Sequence, residues 1–190
     1  MAIRPDIDAH VRLLPPKATA KGMFHADVIA HVVKRVPEEE LFTRAGLPRR
    51  RYIGFIDYPY EDFLKLVAHG GPLAFPDLTP AEAVRRLGQA AYPKVLDTHV
   101  GRMLFGVLNN DITQVLKHGP KAYGLFASFG DVRADVVGER HVLYTFKNFP
   151  AFLESYQVGV VEGALLFCGA KPDVKVDLAD LASAQFDIRW

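Results

Sequence analysis

The chain has 190 residues, enough for one domain that buries a core without disulfides or structural metal. Its 23 basic and 22 acidic residues leave a net charge of +1, so nothing draws the whole molecule toward nucleic acid or an anionic membrane. The single cysteine, Cys168, excludes an internal disulfide and a cysteine-rich metal site within one chain. Residues 1–10 carry charges and no apolar run, which argues against a signal peptide, and the longest apolar stretch, Val158 to Ala170, falls short of a bilayer span. A cytoplasmic location is expected.

Residues 1–21 have no clear period and contain Pro15-Pro16, so they are expected to form an extended N-terminal arm. Asp27 is expected to cap a helix over Val28 to Val36, with an apolar face at Val28, Ile29, Val32, Val33 and Val36. Pro37 opens a second helix, its first turn favoured by Glu38, Glu39 and Glu40, and Gly46 ends it. The stretch from Arg49 to Asp57 reads as extended. Pro59 then opens a helix from Tyr60 to Ala68, stopped by Gly70-Gly71. Thr79-Pro80-Ala81-Glu82 combines cap, proline and acid, and starts a long helical region to about Leu108, bent at Pro93. Asn109-Asn110-Asp111 breaks it, and Asp111 caps a short helix to about Lys117.

From Tyr123 onward the texture changes. Phe126 to Val137 and His141 to Phe149 are rich in β-formers, with Gly138-Glu139 as the turn between them. Pro150 opens a helix to Cys168, closed by Gly169. Two alternating segments follow, Asp173 to Asp177 and Gln185 to Trp190. The fold class is therefore α+β: N-terminal helices packed on a C-terminal four-stranded antiparallel sheet, in the order strand, strand, helix, strand, strand. Residues 22–190 are expected to form one domain, mostly helical over 22–122 and sheet with a central helix over 123–190.

The helix ending at Cys168 carries most information. Between Val158 and Cys168 its only charge is Glu162. A helix apolar nearly all round is expected to be covered on two sides, by the sheet and by further protein. Gly159 and Gly163 stand four apart. Either they permit close helix packing or they leave room for a ligand. Glu162 is either a solvent-reaching carboxylate or a buried one with a raised pKa. Phe126, Phe129, Tyr144, Phe152 and Tyr156 serve the core or line an aromatic pocket between sheet and helices. Together with Gly159, Glu162 and Gly163 they form the expected ligand-binding set.

Catalytic signatures are scarce. No two of the seven histidines stand four apart, and there is no Walker loop, no Gly-x-Gly-x-x-Gly and no Gly-x-Ser-x-Gly. Cys168 lies at a helix carboxyl end, where the dipole disfavours a thiolate, and reads as structural. The Arg49-Arg50-Arg51 cluster reads as a solvated face or as an anion site. Asp57, Glu61 and Asp62 resemble a catalytic group in type, but acids in a first helical turn have a local reason to be there.

Several strings resemble known families. Tyr58-Pro59-Tyr60-Glu61-Asp62-Phe63, His118-Gly119-Pro120-Lys121-Ala122-Tyr123-Gly124, Gly159-Val160-Val161-Glu162-Gly163-Ala164-Leu165 and Phe186-Asp187-Ile188-Arg189-Trp190 resemble a paralogous myxobacterial family labelled as a domain of unknown function. The likeness runs over most of the chain from about Gly22. The Glu-Gly step and the final strand are also similar to four-vinyl-reductase-type domains, to effector domains of aromatic-responsive regulators and to TRAPP subunits. Where four-vinyl-reductase-type domains often place cysteines for a metal, this chain has Ser183-Ala184-Gln185. The element order is similar to the haem-binding gas-sensor domain, H-NOX, which would make His99 the iron ligand. That family's Tyr-x-Ser-x-Arg string is matched here only by Tyr144 of Tyr144-Thr145-Phe146-Lys147-Asn148.

These readings converge on a non-catalytic ligand-binding or protein-interaction module, a sensor or adaptor in cytosolic signalling. Its expected partners are a small apolar ligand or a protein, including a second copy of the chain. No cofactor, metal, nucleic acid or membrane span is expected. The alternatives are a haem-based gas sensor using His99 and an enzyme using Glu162 or Asp57 and Glu61.

Overall fold

The computed structural model describes residues 6–106, 108 and 111–190, with backbone alone at 100 and 104. Helix α1 spans Ile7–Leu13, and strand β1, Thr19–Lys21, leads directly into α2, Gly22–Val32. Helix α3 covers Glu38–Ala45. Strand β2, Asp57–Pro59, pairs antiparallel with β1 and feeds α4, Tyr60–Ala74. Helices α5, Pro80–Leu96, α6, His99–Phe105, and α7, Ile112–Phe126, complete the helical part. Strands β3, Asp131–Gly138, and β4, His141–Lys147, form a hairpin. A π-helical turn, Leu153–Gln157, runs into α8, Val158–Phe167, followed by β5, Asp173–Asp180, and β6, Ser183–Arg189.

The four C-terminal strands form one antiparallel sheet in the order β3-β4-β6-β5, as the alternation of the sequence predicts. One face is apolar: Ala134, Tyr144, Phe186 and Val176 stand in register across it, beside Val136, Val142, Ile188 and Val174. The opposite face carries polar side chains, including Arg133, Thr145, Gln185 and Asp177 in one row. Helices α7 and α8 contact the sheet, and α5 packs along α8. A continuous core runs from Val28, Leu64 and Val84 in the helices to Phe146, Phe186 and Ile188 in the sheet. The apolar α8 is therefore covered by sheet and by helix, which explains why it lacks a polar face.

Caps fall where the sequence places them at three sites. Gly46 takes a left-handed φ of 63° after α3. Thr79 and Glu82 form a reciprocal capping box at the start of α5. Asp111 caps α7, its carboxylate accepting from the Gln114 amide at 3.1 Å.

Other expectations are corrected. Residues 6–21 are not an extended arm: Asp6 caps α1, and β1 is pinned by pairing with β2 and by the Ser128 hydroxyl, which accepts from the Thr19 amide at 2.8 Å. Met1 to Pro5, the rest of that arm, lie outside the described residues. Helix α2 starts at Gly22, so Asp27 sits inside it, buried, rather than at its cap. Helix α4 passes through Gly70-Gly71 and Pro72. A Cβ on Gly70 would meet the Val28 side chain at 2.7 Å, and one on Gly71 the Val84 amide nitrogen at 3.0 Å. These glycines let α4 approach α2 and α5, and that packing outweighs their low helix propensity.

Helix α5 runs past Pro93 to Leu96. The break lies at Asp97-Thr98, where the Thr98 hydroxyl donates to the Val95 carbonyl at 2.7 Å and accepts from the Gly101 amide at 2.9 Å. Asn109 and Asn110, read as a helix break, lie outside the described residues. Helix α7 continues to Phe126, so Phe126 is helical and not the first strand residue. The predicted helix from Pro150 begins only at Leu153, after Phe152 takes a left-handed φ of 51°, and its first turn is π.

Candidate functional site

Helix α8 meets the helical part in two different ways. Along one edge it is zipped to α5. A Cβ on Gly159 would collide with the Arg85 carbonyl, one on Gly163 with the Gln89 carbonyl, and one on Gly88 with the Tyr156 carbonyl. Three glycines thus bring two backbones into contact, as the close-packing reading requires. The same seam holds Glu162. Its carboxylate is buried and accepts from Arg85 Nε at 2.7 Å, from a second Arg85 nitrogen and from Gln89 Nε2 at 3.0 Å. Burial raises the pKa of this carboxyl, but the hydrogen bonds from Arg85 and Gln89 and the guanidinium charge outweigh it and hold it below the usual range. Neither sequence reading of Glu162 survives: it is not solvent-reaching, and its pKa is not raised. Arg85, seventy-seven residues away in sequence, supplies what a pattern within the helix could not show.

Away from the seam, α8 turns Val160, Val161 and Ala164 toward a cavity of about 110 Å³. Helix α7 contributes Val115, Gly119, Ala122, Tyr123 and Phe126 to its wall, and α5 contributes Ala91, Tyr92 and Val95. Ala20 of β1, Phe24 of α2, Tyr60 and Phe63 of α4, Phe105 of α6, Tyr144 of β4 and Ala127 also line it, with Tyr156 and Gln157 from the π turn. The lining is mostly apolar and aromatic. No histidine, lysine, arginine or carboxylate is among its described residues.

Two of the lining tyrosines are already committed. Tyr123 donates to Gln157 Oε1 at 2.9 Å, and Tyr144 donates to the Leu116 carbonyl, its hydroxyl resting in the space that a side chain at Gly119 would need. Burial pushes the hydroxyl pKa of Tyr60, Tyr123, Tyr144 and Tyr156 upward, so these phenols stay protonated.

Of the eight residues expected to bind a ligand, Phe126, Tyr144 and Tyr156 line this cavity. Phe129 lies behind the wall, with its ring 4.6 Å from Tyr60 and stacked on Phe149 at 5.2 Å. Phe152 is buried against His10, 4.5 Å away, outside the lining. Gly159, Glu162 and Gly163 belong to the seam. Apart from Phe126, sequence reasoning missed the contribution of α7. Its small residues at Val115, Gly119 and Ala122, spaced along one face opposite aromatic neighbours, are the signal that was there to read.

The carboxylates considered for catalysis do not converge. Asp57 pairs with Lys21 at 2.9 Å, Glu61 with Lys65 at 2.5 Å, and Glu162 sits in the seam. Burial raises the Cys168 thiol pKa, in keeping with an unreactive cysteine. Among the described residues no cluster of His, Cys, Asp and Glu could hold a metal ion, and no helix is long and apolar enough to cross a membrane.

The architecture is that of H-NOX domains. An H-NOX protein from S. oneidensis in the Fe(II)NO ligation state is similar to this chain with a TM-score of 0.71 and 15% identity, over 89% of this chain and 98% of the other. Unliganded Fe(II) H-NOX from K. algicida gives 0.66 and 12%, covering 89% and 95%. A point mutant of T. tengcongensis H-NOX gives 0.67 and 14%, covering 89% and 96%. At these identities the likeness is one of fold. No curated protein matches the sequence.

The residues present do not fit a haem. His99 is exposed on α6 and does not line the cavity, and His118 of α7 is also off its wall, with Nδ1 on the Gln114 carbonyl at 2.9 Å. No cation among the described lining residues could hold propionates. Buried protonated phenols are poor substitutes for an imidazole or a tyrosinate ligand. The volume is that of a single small ring, since a dry cavity of about 150 Å³ holds benzene. A sequence profile for the family described as "Protein of unknown function (DUF2378)" matches residues 14–190, and the chain belongs to that family.

Proposed function

We propose that this chain is a non-catalytic sensor domain that binds a small apolar ligand in the cavity between α5, α7 and α8, using the H-NOX fold without haem. The observation that carries this reading is the cavity itself: an aromatic and aliphatic lining of ring size, placed where helical part and sheet part meet. Walls from β1, α2, α4, α5, α6, α7, α8 and β4 mean that a ligand contacts both parts at once. Filling the space favours the arrangement in which those walls are closest, and this differential contact is what shifts a conformational population. A cytoplasmic place in signalling is part of the same reading.

Thermal unfolding with and without benzene near its aqueous solubility tests it. Benzene raises the Tm of the wild type and leaves that of Ala164→Leu unchanged, because leucine at that wall occupies the space. Equal shifts in both proteins, or none in either with any compact hydrocarbon, would sink the proposal.

A partner-binding role has one observation in its favour. Leu166 and Phe167 at the end of α8 are exposed, at 49% and 45%. Sedimentation across a wide concentration range decides whether they join two copies. A monomer throughout removes the homodimer.

A further inference from the structure

The cavity is not purely a hydrocarbon site. Tyr60 and Tyr156 are 3% and 5% exposed and both rings line it, and neither hydroxyl makes a hydrogen bond to another described residue. Both rings pack edge-on against one side chain, Phe63, with centroids at 5.3 Å in each case. Both therefore border Phe63, which also lines the cavity. Tyr60 lies within electrostatic reach of Tyr123, and Tyr156 within reach of Asp27, Tyr60 and Tyr123. Neither hydroxyl is among the fully buried atoms without a partner, so both reach open space, where a donor favours a ligand that can accept. Tyr123 and Tyr144 in the same wall do have partners.

We propose that the ligand is a compact, neutral, ring-sized molecule with one accepting oxygen, such as a cyclic ketone, and that the hydroxyls of Tyr60 and Tyr156 donate to that oxygen. Neutrality follows from the wall, whose described residues include no charged side chain to balance an ionised ligand. An oxygen acceptor follows from the donors: a carbonyl oxygen has two lone pairs and can take one O–H from each tyrosine. The ring body fills the aliphatic side formed by Val115, Val161 and Ala164. The assignment rests on the cavity being the ligand site.

Isothermal titration with cyclopentanone and with cyclopentane, on wild type, Tyr60→Phe, Tyr156→Phe and Tyr144→Phe, tests it. The ketone binds wild type about tenfold more tightly than the hydrocarbon, as expected for one good hydrogen bond in an apolar site. Tyr60→Phe and Tyr156→Phe each reduce that preference and leave cyclopentane affinity unchanged. Tyr144→Phe, whose hydroxyl is already committed, retains it. Far-UV circular dichroism and Tm confirm that each variant is folded, and each removes only one oxygen atom. If cyclopentane binds and the ketone gains nothing over it, the two hydroxyls are held by water and the oxygen-reading proposal is overturned while the apolar site stands. If neither compound binds the folded wild type, the cavity is not a ligand site and both proposals fall.

Discussion

One helix presents two contrasting surfaces a few residues apart. On the α5 side, Gly159 and Gly163 bring backbone onto backbone, and Glu162 is clasped by Arg85 and Gln89. On the other side, Val160, Val161 and Ala164 face open space among aromatic rings. Glycine in a helix can therefore mark the tightest part of a structure, and the room for a ligand opens where small and aromatic side chains meet without interlocking. The seam fixes the two helices so firmly that the neighbouring mismatch is not closed by collapse. Dense packing beside a void is the arrangement in which a void persists.

Adjacent substitutions expose the contrast most strongly. Gly163→Ala drives a methyl into the Gln89 carbonyl and lowers stability by about 3 kcal/mol, the upper range for overpacking. Ala164→Leu, one residue on, extends into the cavity and changes stability by no more than about 1 kcal/mol, with a gain allowed. Urea unfolding of both variants measures the gap. Equal losses would mean that seam and cavity are not distinct.

Next in size is the response to pH. The tyrosines of the cavity wall keep their protons well above neutrality, so ligand affinity stays flat from about pH 5 to pH 9. Fold stability does not. Burial lowers the His25 pKa from 6.5 to about 4, even though its two ring nitrogens lie near the carbonyls of Pro59 and Lys21. The unfolded chain binds the extra proton first. The contribution of His25 is therefore fully present above pH 6.5 and is lost as pH falls toward 4. The Glu162 pKa is also depressed in the folded state, so its contribution is present above its unfolded pKa and is lost as pH falls through its folded one. Denaturation midpoints across this range should decline in acid, and Glu162→Gln should remove the more acidic part of the decline. An unchanged profile in that variant would contradict the clasp.

At constant neutral pH, Glu162→Ala costs about 2 kcal/mol, since Arg85 is half exposed and regains water on losing its partner. It should leave benzene affinity unaltered, because Glu162 is absent from the wall. The smallest effect is reserved for His99→Ala. That residue is exposed, so stability stays within about 0.5 kcal/mol and the protein's absorption spectrum after incubation with haem matches that of the wild type. A Soret band lost in the variant would reinstate iron ligation.

Much of the fold was legible in the sequence, for local reasons. Alternation over Asp173 to Asp177 and Gln185 to Trp190, the Thr79-Pro80-Ala81-Glu82 start and the Gly46 stop each encode their own geometry. The full apolar circumference of α8 announced that it would be covered twice. What stayed hidden depends on contacts distant in the chain. Gly70-Gly71 reads as a breaker and the helix after Asp111 is expected to end near Lys117, yet α4 and α7 continue, with Val28, Val84 and Tyr144 occupying the space beside Gly70, Gly71 and Gly119. The partner of buried Glu162 lies on α5, and the cavity is assembled from elements between Ala20 and Ala164. Three of the eight expected site residues, Phe126, Tyr144 and Tyr156, reached it, and all three are aromatic.

The most direct test is a crystal of the wild-type protein pressurised with xenon. A xenon peak in the anomalous map, bounded by Phe24, Tyr60, Val115 and Val161 and missing from Ala164→Leu, is the predicted result. A map with no xenon in that space would contradict the account, for the walls would then be closed in the protein itself.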